Sequence, residues 1–292
     1  MRGQRSNPVA AALVGEVRRA GVVHCHQQHV VMSSLAALVG RLHGRRVFCS
    51  DLGGGGWDIS AYISTDRLFH GHLHISEYSR SVFGHRDFRR ARVIFGGVDT
   101  EKFSPDPASV RDGPVLFVGR LLPHKGINDL VDAIEPGMAA QIIGSASDTR
   151  YFQELERRAS GKMVNFRLAC DDAELVSAYR AASSVVLPSV YKDMYGNETR
   201  VPELLGQTLL EGMACGCACI ATNVASLPEV VEHGVTGLVV PPNDPPALRE
   251  AIRWVADHPA ERRRMGERGR QRVLDHFTWP TVVRQCLEAY AA

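Results

Sequence analysis

The 292-residue sequence has no long apolar run and no excess of charge of either sign. No stretch approaches the roughly 20 apolar residues that a bilayer-spanning helix needs, so we predict no membrane-spanning segment. The formal net charge of +2 is too near neutral to favour a nucleic-acid partner. Residues 9–15 are apolar, but Glu16, Arg18 and Arg19 follow directly, which favours an amphipathic helix over a secretory leader.

The seven cysteines lack the two-residue gaps that are typical of zinc sites. An odd number of cysteines without a secretory leader predicts reduced thiols and a cytoplasmic protein. The alternating residues Cys215, Cys217 and Cys219 are predicted to be small buried apolar side chains.

Histidines also alternate, at positions 24 and 26 and at positions 70, 72 and 74. Alternation places each set on one face of a strand. No carboxylate or cysteine completes a convincing set of ligands, so we predict no metal site and interpret these histidines as polar residues at strand ends facing a cleft.

Basic residues are concentrated in two segments, 85–92 and 261–272. We interpret each basic segment as the solvated face of a helix. The alternative is peripheral contact with an anionic membrane, which would place the protein at the inner face of that membrane.

Short apolar strands alternate with helices along the chain, which predicts α/β structure with parallel sheets covered on both faces. The turn-rich segment 96–107 separates two such series. We therefore predict an N-terminal domain at 1–107 and a C-terminal domain at 108–278, with a last helix at 279–292 packing back near the first domain.

Two cations follow a predicted strand at 115–118, after the turn at Gly119. Ligands of open α/β sheets bind at the carboxyl ends of the strands. Arg120 and Lys125 are therefore candidates to straddle a pyrophosphate, Arg120 through a forked contact and Lys125 as a point charge. Taken singly, each is better interpreted as a surface cation on a loop.

A second candidate segment, 183–222, reads as strand, loop, helix, turn and strand. Its predicted helix at 206–214 offers unpaired amides and a positive dipole end to a phosphate. Glu203 precedes this helix and Glu211 lies one turn inside it, and both suit sugar hydroxyls. The alternatives are a solvated carboxylate for Glu203 and a capping box, Thr208 with Glu211, in which Glu211 folds back onto its own helix.

These motifs together resemble the retaining glycosyltransferases of family GT4, which have the GT-B fold. The resemblance is carried by VGRLLPHKGINDLVDAI, by PELLGQTLLEGMACG and by the tail IATNVASLPEVVEHGVTGLVVPPNDPPALREAI, and it covers most of residues 92–290. It implies two Rossmann-like domains facing a cleft and a reaction without a metal or other cofactor. The sequence departs from the family in having Leu204 and Leu205 where Pro-Phe is common, and in a long loop at 191–200.

The resemblance also implies roles for individual residues. Arg120 and Lys125 would hold the diphosphate of a UDP- or GDP-sugar, Glu203 the donor sugar and Glu211 the ribose. The amides of the segment Gly206, Gln207 and Thr208 would point at the phosphate. The implied reaction moves a hexosyl group to a hydroxyl acceptor with retention of configuration.

The N-terminal part matches the family less well. Its first strand, VVHC, resembles a strand from the middle of a Rossmann-like domain, so we expect the N-terminal strands to be missing. Asp51 stands where the family often has a histidine beside the acceptor, and it is either catalytic or only the start of a turn. The glycines at 53–56 are interpreted as a mobile loop.

Two alternative functions are left open for the chain. It could be an inactive nucleotide-sugar-binding remnant or accessory subunit. The less well supported alternative is a GT-B sugar-nucleotide epimerase.

Overall fold

The computed structural model describes residues 10–52 and 65–292. The chain divides into two compact units: unit 1 comprises 1–95 with 280–292, and unit 2 comprises 96–279. The glycine run at 53–56 lies outside the described residues.

In the described part of unit 1, four strands form a parallel sheet in the order β1-β2-β3-β4. The strands are β1 (Val22–Cys25), β2 (Arg46–Cys49), β3 (Gly71–His74) and β4 (Ala91–Val93), and the helices before and between them are α1 (Ala12–Arg19), α2 (Val31–Leu42) and α3 (Glu77–Val82).

Apolar side chains cover both faces of this sheet, as expected for parallel strands. One cluster joins the helices α1 and α2 to the sheet and includes Val17, Ala37 and Val47. The other contains Phe48 and Leu73 together with residues near the C-terminus. The latter come from α11 (Trp279–Ala291), whose residue Ala289 is buried in that cluster.

Two interpretations of polar residues in this unit are wrong. Residues 85–90 form turns that lead into β4 rather than a helix, and His85 is buried, so the segment 85–92 is not a solvated helix face. His72 and His74 are each 2% exposed, so they are not polar residues lining an open cleft.

A hydrogen-bonded histidine connects β1 to α11. Nδ1 of His24 lies 2.6 Å from the hydroxyl of Tyr290, and its Nε2 lies 2.9 Å from Oγ of Ser50. Burial, and secondarily the neighbouring His26, lowers the pKa of His24 to about 4. The imidazole is therefore neutral in the folded protein at neutral pH.

This histidine predicts acid sensitivity of unit 1. Between pH 6.5 and about 4 the unfolded chain protonates His24 and the folded chain does not, so the free energy of unfolding falls as the pH falls through that window. We expect His24 to account for about 1–3 kcal/mol of this loss. In denaturant melts at a series of pH values, His24→Gln should flatten the pH dependence between 6.5 and 4. An unchanged slope would contradict the prediction.

Unit 2 contains six strands in one parallel sheet with the order β10-β9-β8-β5-β6-β7. The strands are β5 (Val115–Val118), β6 (Ala139–Ile143), β7 (Met163–Arg167), β8 (Val185–Leu187), β9 (Cys219–Thr222) and β10 (Gly237–Val240). The helices are α4 (Ile127–Ala133), α5 (Thr149–Ala159), α6 (Asp172–Ala181), α7 (Gln207–Ala214), α8 (Leu227–Val230), α9 (Pro245–Asp257) and α10 (Pro259–His276).

The strands of this sheet bury apolar side chains, as their apolar sequences predict. Leu116 and Val185, which face each other across β5 and β8, are fully buried. Cys215, Cys217 and Cys219 are also fully buried, which confirms their interpretation as core residues. Among the described residues, no helix combines the length and apolarity needed to cross a bilayer.

Candidate functional site

The strand order of unit 2 locates a binding edge. Starting from β5, the chain adds β6 and β7 on one side and then returns to place β8, β9 and β10 on the other. The order reverses between β5 and β8, and ligands of such sheets bind beyond the carboxyl ends of the strands at that point. The loops that follow β5 and β8 therefore define the candidate site.

The loop after β5 is held by its glycines and by the buried side chain of Leu121. Gly119 has φ +153°, and its amide donates to the carbonyl of Ile143 on β6. Leu121 is fully buried, whereas its neighbour Arg120 is exposed. A short 3-10 helix, Pro123–Lys125, then ends at Gly126 in the left-handed conformation. This geometry leaves Arg120 facing solvent and turns Lys125 towards the loop after β8.

Lys125 and Glu203 form an ion pair between these two loops, through Nζ and Oε1. Their side chains are only 15% and 9% exposed. The hydroxyl of Ser189 donates to the same carboxylate oxygen at 2.7 Å. Glu203 is thus a buried, oriented carboxylate, and its interpretation as a solvated loop residue is wrong.

Helix α7 begins a few residues after Glu203. Its N-cap is Gly206, with φ +86° and no side-chain cap. The capping-box alternative required Thr208 at that position, so it is wrong. The first amides of an α-helix have no acceptor within the helix, and here they belong to Gln207 and Thr208. Their partial positive charge lies at the same sheet edge as the ion pair.

Glu211 lies one turn inside α7 and is held by a residue of α6. The hydroxyl of Tyr179 donates to Oε2 of Glu211 at 2.7 Å. Burial raises the pKa of Glu211, and the bond from Tyr179 opposes this effect. The bond from Tyr179 therefore fixes the orientation of the Glu211 carboxylate through its Oε2 atom.

The five candidate side chains differ in where the structure places them. Lys125 and Glu203 are in direct contact, and Glu211 lies on the helix that follows them. Arg120 is on the loop of Lys125 but is exposed. Asp51 is a buried residue of unit 1, two positions after β2, and so belongs to the other unit.

Sequence reasoning missed three residues of this site. Ser189 could have been found, since it lies two positions after the end of β8. His124 is half-buried, and its carbonyl accepts from the amide of Val190 at 2.9 Å; burial, and then Lys125, lowers the pKa of its imidazole. Tyr179 gave no signal, because it precedes Glu211 by 32 residues on another helix.

The long loop at 191–200 is a structured turn in unit 2. Oδ1 of Asp193 accepts from the amides of Tyr195 and Asn197, at 2.8 and 2.9 Å. The guanidinium of Arg150 on α5 lies 4.6 Å from the ring centre of Tyr195. The loop is therefore attached to the body of the unit at its far end.

Comparisons with known proteins agree with this geometry. A family model described as "Glycosyl transferases group 1" matches residues 99–272. Glycogen synthase of Mycobacterium tuberculosis is 30% identical over 209 residues, which cover 68% of this chain and 48% of that protein. Alpha-maltose-1-phosphate synthase of the same organism is 28% identical, covering 93% of this chain and 79% of the relative. The chain thus spans about half the length of the first relative.

Solved structures show the same fold. The structure of Anabaena HepE "in complex with UDP and glucose" has a TM-score of 0.78 at 19% identity, covering 97% of this chain and 80% of that one. The prediction of an α/β protein of the GT-B class is confirmed by this likeness and by the parallel sheets of both units.

Proposed function

The chain belongs to the family described as glycosyl transferases, group 1, and from this premise we propose that it transfers a hexosyl group from a nucleoside-diphosphate sugar to a hydroxyl acceptor, with retention of configuration. The observation that carries the proposal is the pairing of Lys125 with Glu203 beside the start of α7, at the point where the strand order of unit 2 reverses. A cation, free helix amides and an oriented carboxylate suit a diphosphate and a sugar.

The proposed mechanism is electrostatic. As the bond to the leaving diphosphate breaks, negative charge develops on its oxygens. Lys125, Arg120 and the amides of Gln207 and Thr208 would stabilise that charge from fixed positions. These groups supply what a metal supplies in other transferases, so we expect transfer to need no metal or other cofactor.

The carboxylates have separate roles in this proposal. Glu203, held by Ser189, would accept hydrogen bonds from hydroxyls of the donor sugar. Glu211, held by Tyr179, would accept them from the ribose. Gly119 and Gly206 let the backbone approach the diphosphate closely. Asp51 of unit 1 is proposed to position the acceptor hydroxyl.

The donor is proposed to be a UDP- or GDP-sugar. The name of the HepE structure supports UDP, since it reports UDP and glucose bound to that protein. We also propose that the enzyme acts in the cytoplasm, with contact to the inner membrane face if the acceptor is a lipid.

The test is release of nucleoside diphosphate from UDP- and GDP-sugars in the presence of candidate hydroxyl acceptors. We expect turnover by the unaltered chain, and Glu203→Ala should lower kcat by a factor of about 100 or more, since hydrogen bonds that strengthen in the transition state are lost. Circular dichroism checks that the variant remains folded. Full turnover by folded Glu203→Ala would defeat the assignment.

The same experiment distinguishes the alternatives. Calorimetric binding of a sugar nucleotide without turnover on any acceptor would favour a nucleotide-sugar-binding chain. Conversion of the donor with no acceptor present would favour an epimerase. Retention is checked by the anomeric configuration of the product.

A further inference from the structure

Four polar side chains of unit 1, none of them part of the candidate site described above, form a largely buried group that we call the histidine cluster: Asp66, His72, His74 and His85. The three imidazoles are 2%, 2% and 4% exposed. Asp66 lies in a short 3-10 helix before β3, and its side chain is 29% exposed. Burial of three imidazoles with a carboxylate exceeds what strand packing requires, because Val, Leu or Phe fills such space without a desolvation cost.

The backbone brings these groups together from three segments. His72 and His74 alternate on β3 and so share a face. After α3, Gly84 with φ +77° reverses the chain, and the amide of His85 donates to the carbonyl of Arg80 at 2.9 Å. This turn brings His85 back against β3, where its ring centre lies 4.2 Å from that of His72.

Three members of the cluster have potential ligand atoms close to one another. One atom each from Asp66, His72 and His85 lie within 4.8 Å of one another. Nε2 of His85 is 3.5 Å from Oδ1 of Asp66. Two ligands bound to one zinc ion at about 2.0–2.1 Å in tetrahedral geometry are about 3.3 Å apart, so this pair needs little movement to share an ion.

The surrounding hydrogen bonds orient Asp66 and His85 in the way that metal sites require. Nδ1 of His85 is 2.9 Å from Nε2 of His74, whose Nδ1 is 3.2 Å from Oγ of Ser79. If each Nδ1–H donates along this chain, Nε2 of His85 is left with a lone pair directed at Asp66. The amide of Gln28, which is itself buried, donates to the same carboxylate. Metal-binding histidines and carboxylates are usually held by such partners.

We propose that Asp66, His72 and His85 bind one divalent transition-metal ion of the zinc class, with His74, Ser79 and Gln28 orienting the ligands. Two imidazoles and one carboxylate leave a coordination position for water. The ion would connect the segment before β3, β3 itself and the turn after α3. This site belongs to unit 1 and does not depend on the transfer activity proposed for the chain.

Zinc titration of the metal-stripped full chain, against a chromophoric chelator, tests the proposal. We expect one equivalent of Zn²⁺ to bind at micromolar or lower concentration and to raise the melting temperature. Asp66→Asn and His85→Gln should each lower the affinity by more than tenfold, and His74→Gln by about 10–100-fold, the range seen when a residue that orients a ligand is removed. The matched control is His70→Gln, a variant at a histidine directly before the same strand and outside the cluster, which should bind zinc normally.

A second measurement, which needs no variant, tests the proposal if a cluster variant does not fold. X-ray absorption of the unaltered chain with one equivalent of Zn²⁺ should show nitrogen and oxygen ligands only. Sulfur ligands would place the ion at cysteines instead and overturn the proposal. So would an absence of saturable binding, or weak binding of several equivalents that Asp66→Asn leaves unchanged.

Discussion

Lys125→Met should lower kcat for sugar transfer by a factor of about 100–1,000, the loss typical of removing one preorganised charge from a developing oxyanion. Met preserves most of the length and the apolar stem of Lys and removes only the charge. The expected defect is in kcat rather than in donor affinity alone, because the negative charge on the leaving diphosphate is greatest in the transition state. Initial rates over a range of donor concentrations separate the two effects.

The same substitution has a cost for folding that must be separated from catalysis. Removing one partner of a buried ion pair leaves an uncompensated charge and typically costs about 3–5 kcal/mol. Here Glu203 would retain the hydroxyl of Ser189, so we expect the lower end of that range. Denaturant melts measure this loss independently of activity.

The double variant Lys125→Met with Glu203→Gln tests whether the ion pair of Lys125 and Glu203 serves the reaction or only stabilises the fold. Neutralising both partners removes the unpaired charge, so most of the stability should return. If the pair serves the reaction, activity should stay as low as in the single variant. Recovery of activity along with stability would show that the ion pair only maintains the fold.

An exposed pair of the same unit is the control. Arg253 pairs with Glu135 on the surface, where the arginine side chain is 52% exposed. Such pairs contribute about 0–1 kcal/mol, so Arg253→Met should leave both stability and turnover nearly unchanged.

Strand and helix positions in this chain were largely predictable, because the local pattern and the fold agree. The local pattern predicts a strand at 115–118 and a helix at 149–159, and these are the bounds of β5 and α5. The strand is indicated by β-branched residues bounded by Gly and Pro. The helix is indicated by amphipathic spacing of its apolar residues and by Asp148 as its N-cap. The pattern also predicts a helix at 227–233, but α8 ends at Val230, because Val231 is extended and His233 pairs with Gly237 at the start of β10.

The candidate site was predictable where its residues follow strands. Lys125 is predicted because it follows β5, and Glu203 because it precedes helix α7, at the end of the loop that follows β8. Their direct contact could not be predicted, since 78 residues separate them and the loop from 188 to 206 has no periodicity. The histidine cluster was missed for a similar reason: the sequence shows the alternation on β3, but Asp66 and His85 join it only through turns.

Gly126→Ala should destabilise unit 2 by about 2–5 kcal/mol and lower transfer with it. Gly126 has φ +64°, a conformation that costs an L-residue about 1–2 kcal/mol. A Cβ placed there would also overlap the carbonyl oxygen of Pro188 and lie 3.0 Å from its carbonyl carbon. Because both neighbours are backbone, relief requires the two loops to move apart, at a further cost of about 1–3 kcal/mol.

Such movement acts directly on the proposed site. Gly126 follows Lys125, and Pro188 precedes Ser189, so separating these backbones pulls the ammonium group away from the carboxylate of Glu203. We therefore expect kcat to fall even at temperatures where the variant is fully folded, since small displacements of charged groups weaken transition-state stabilisation steeply.

The control Gly137→Ala separates the strain of a positive φ from the overlap with Pro188. Gly137 also has a positive φ, +91°, but a Cβ there meets nothing within 4 Å. That control should lose only about 1–2 kcal/mol of stability and no activity. Equal losses of stability in the two variants, with turnover intact in both, would show that the close approach of Gly126 to Pro188 does not position Lys125.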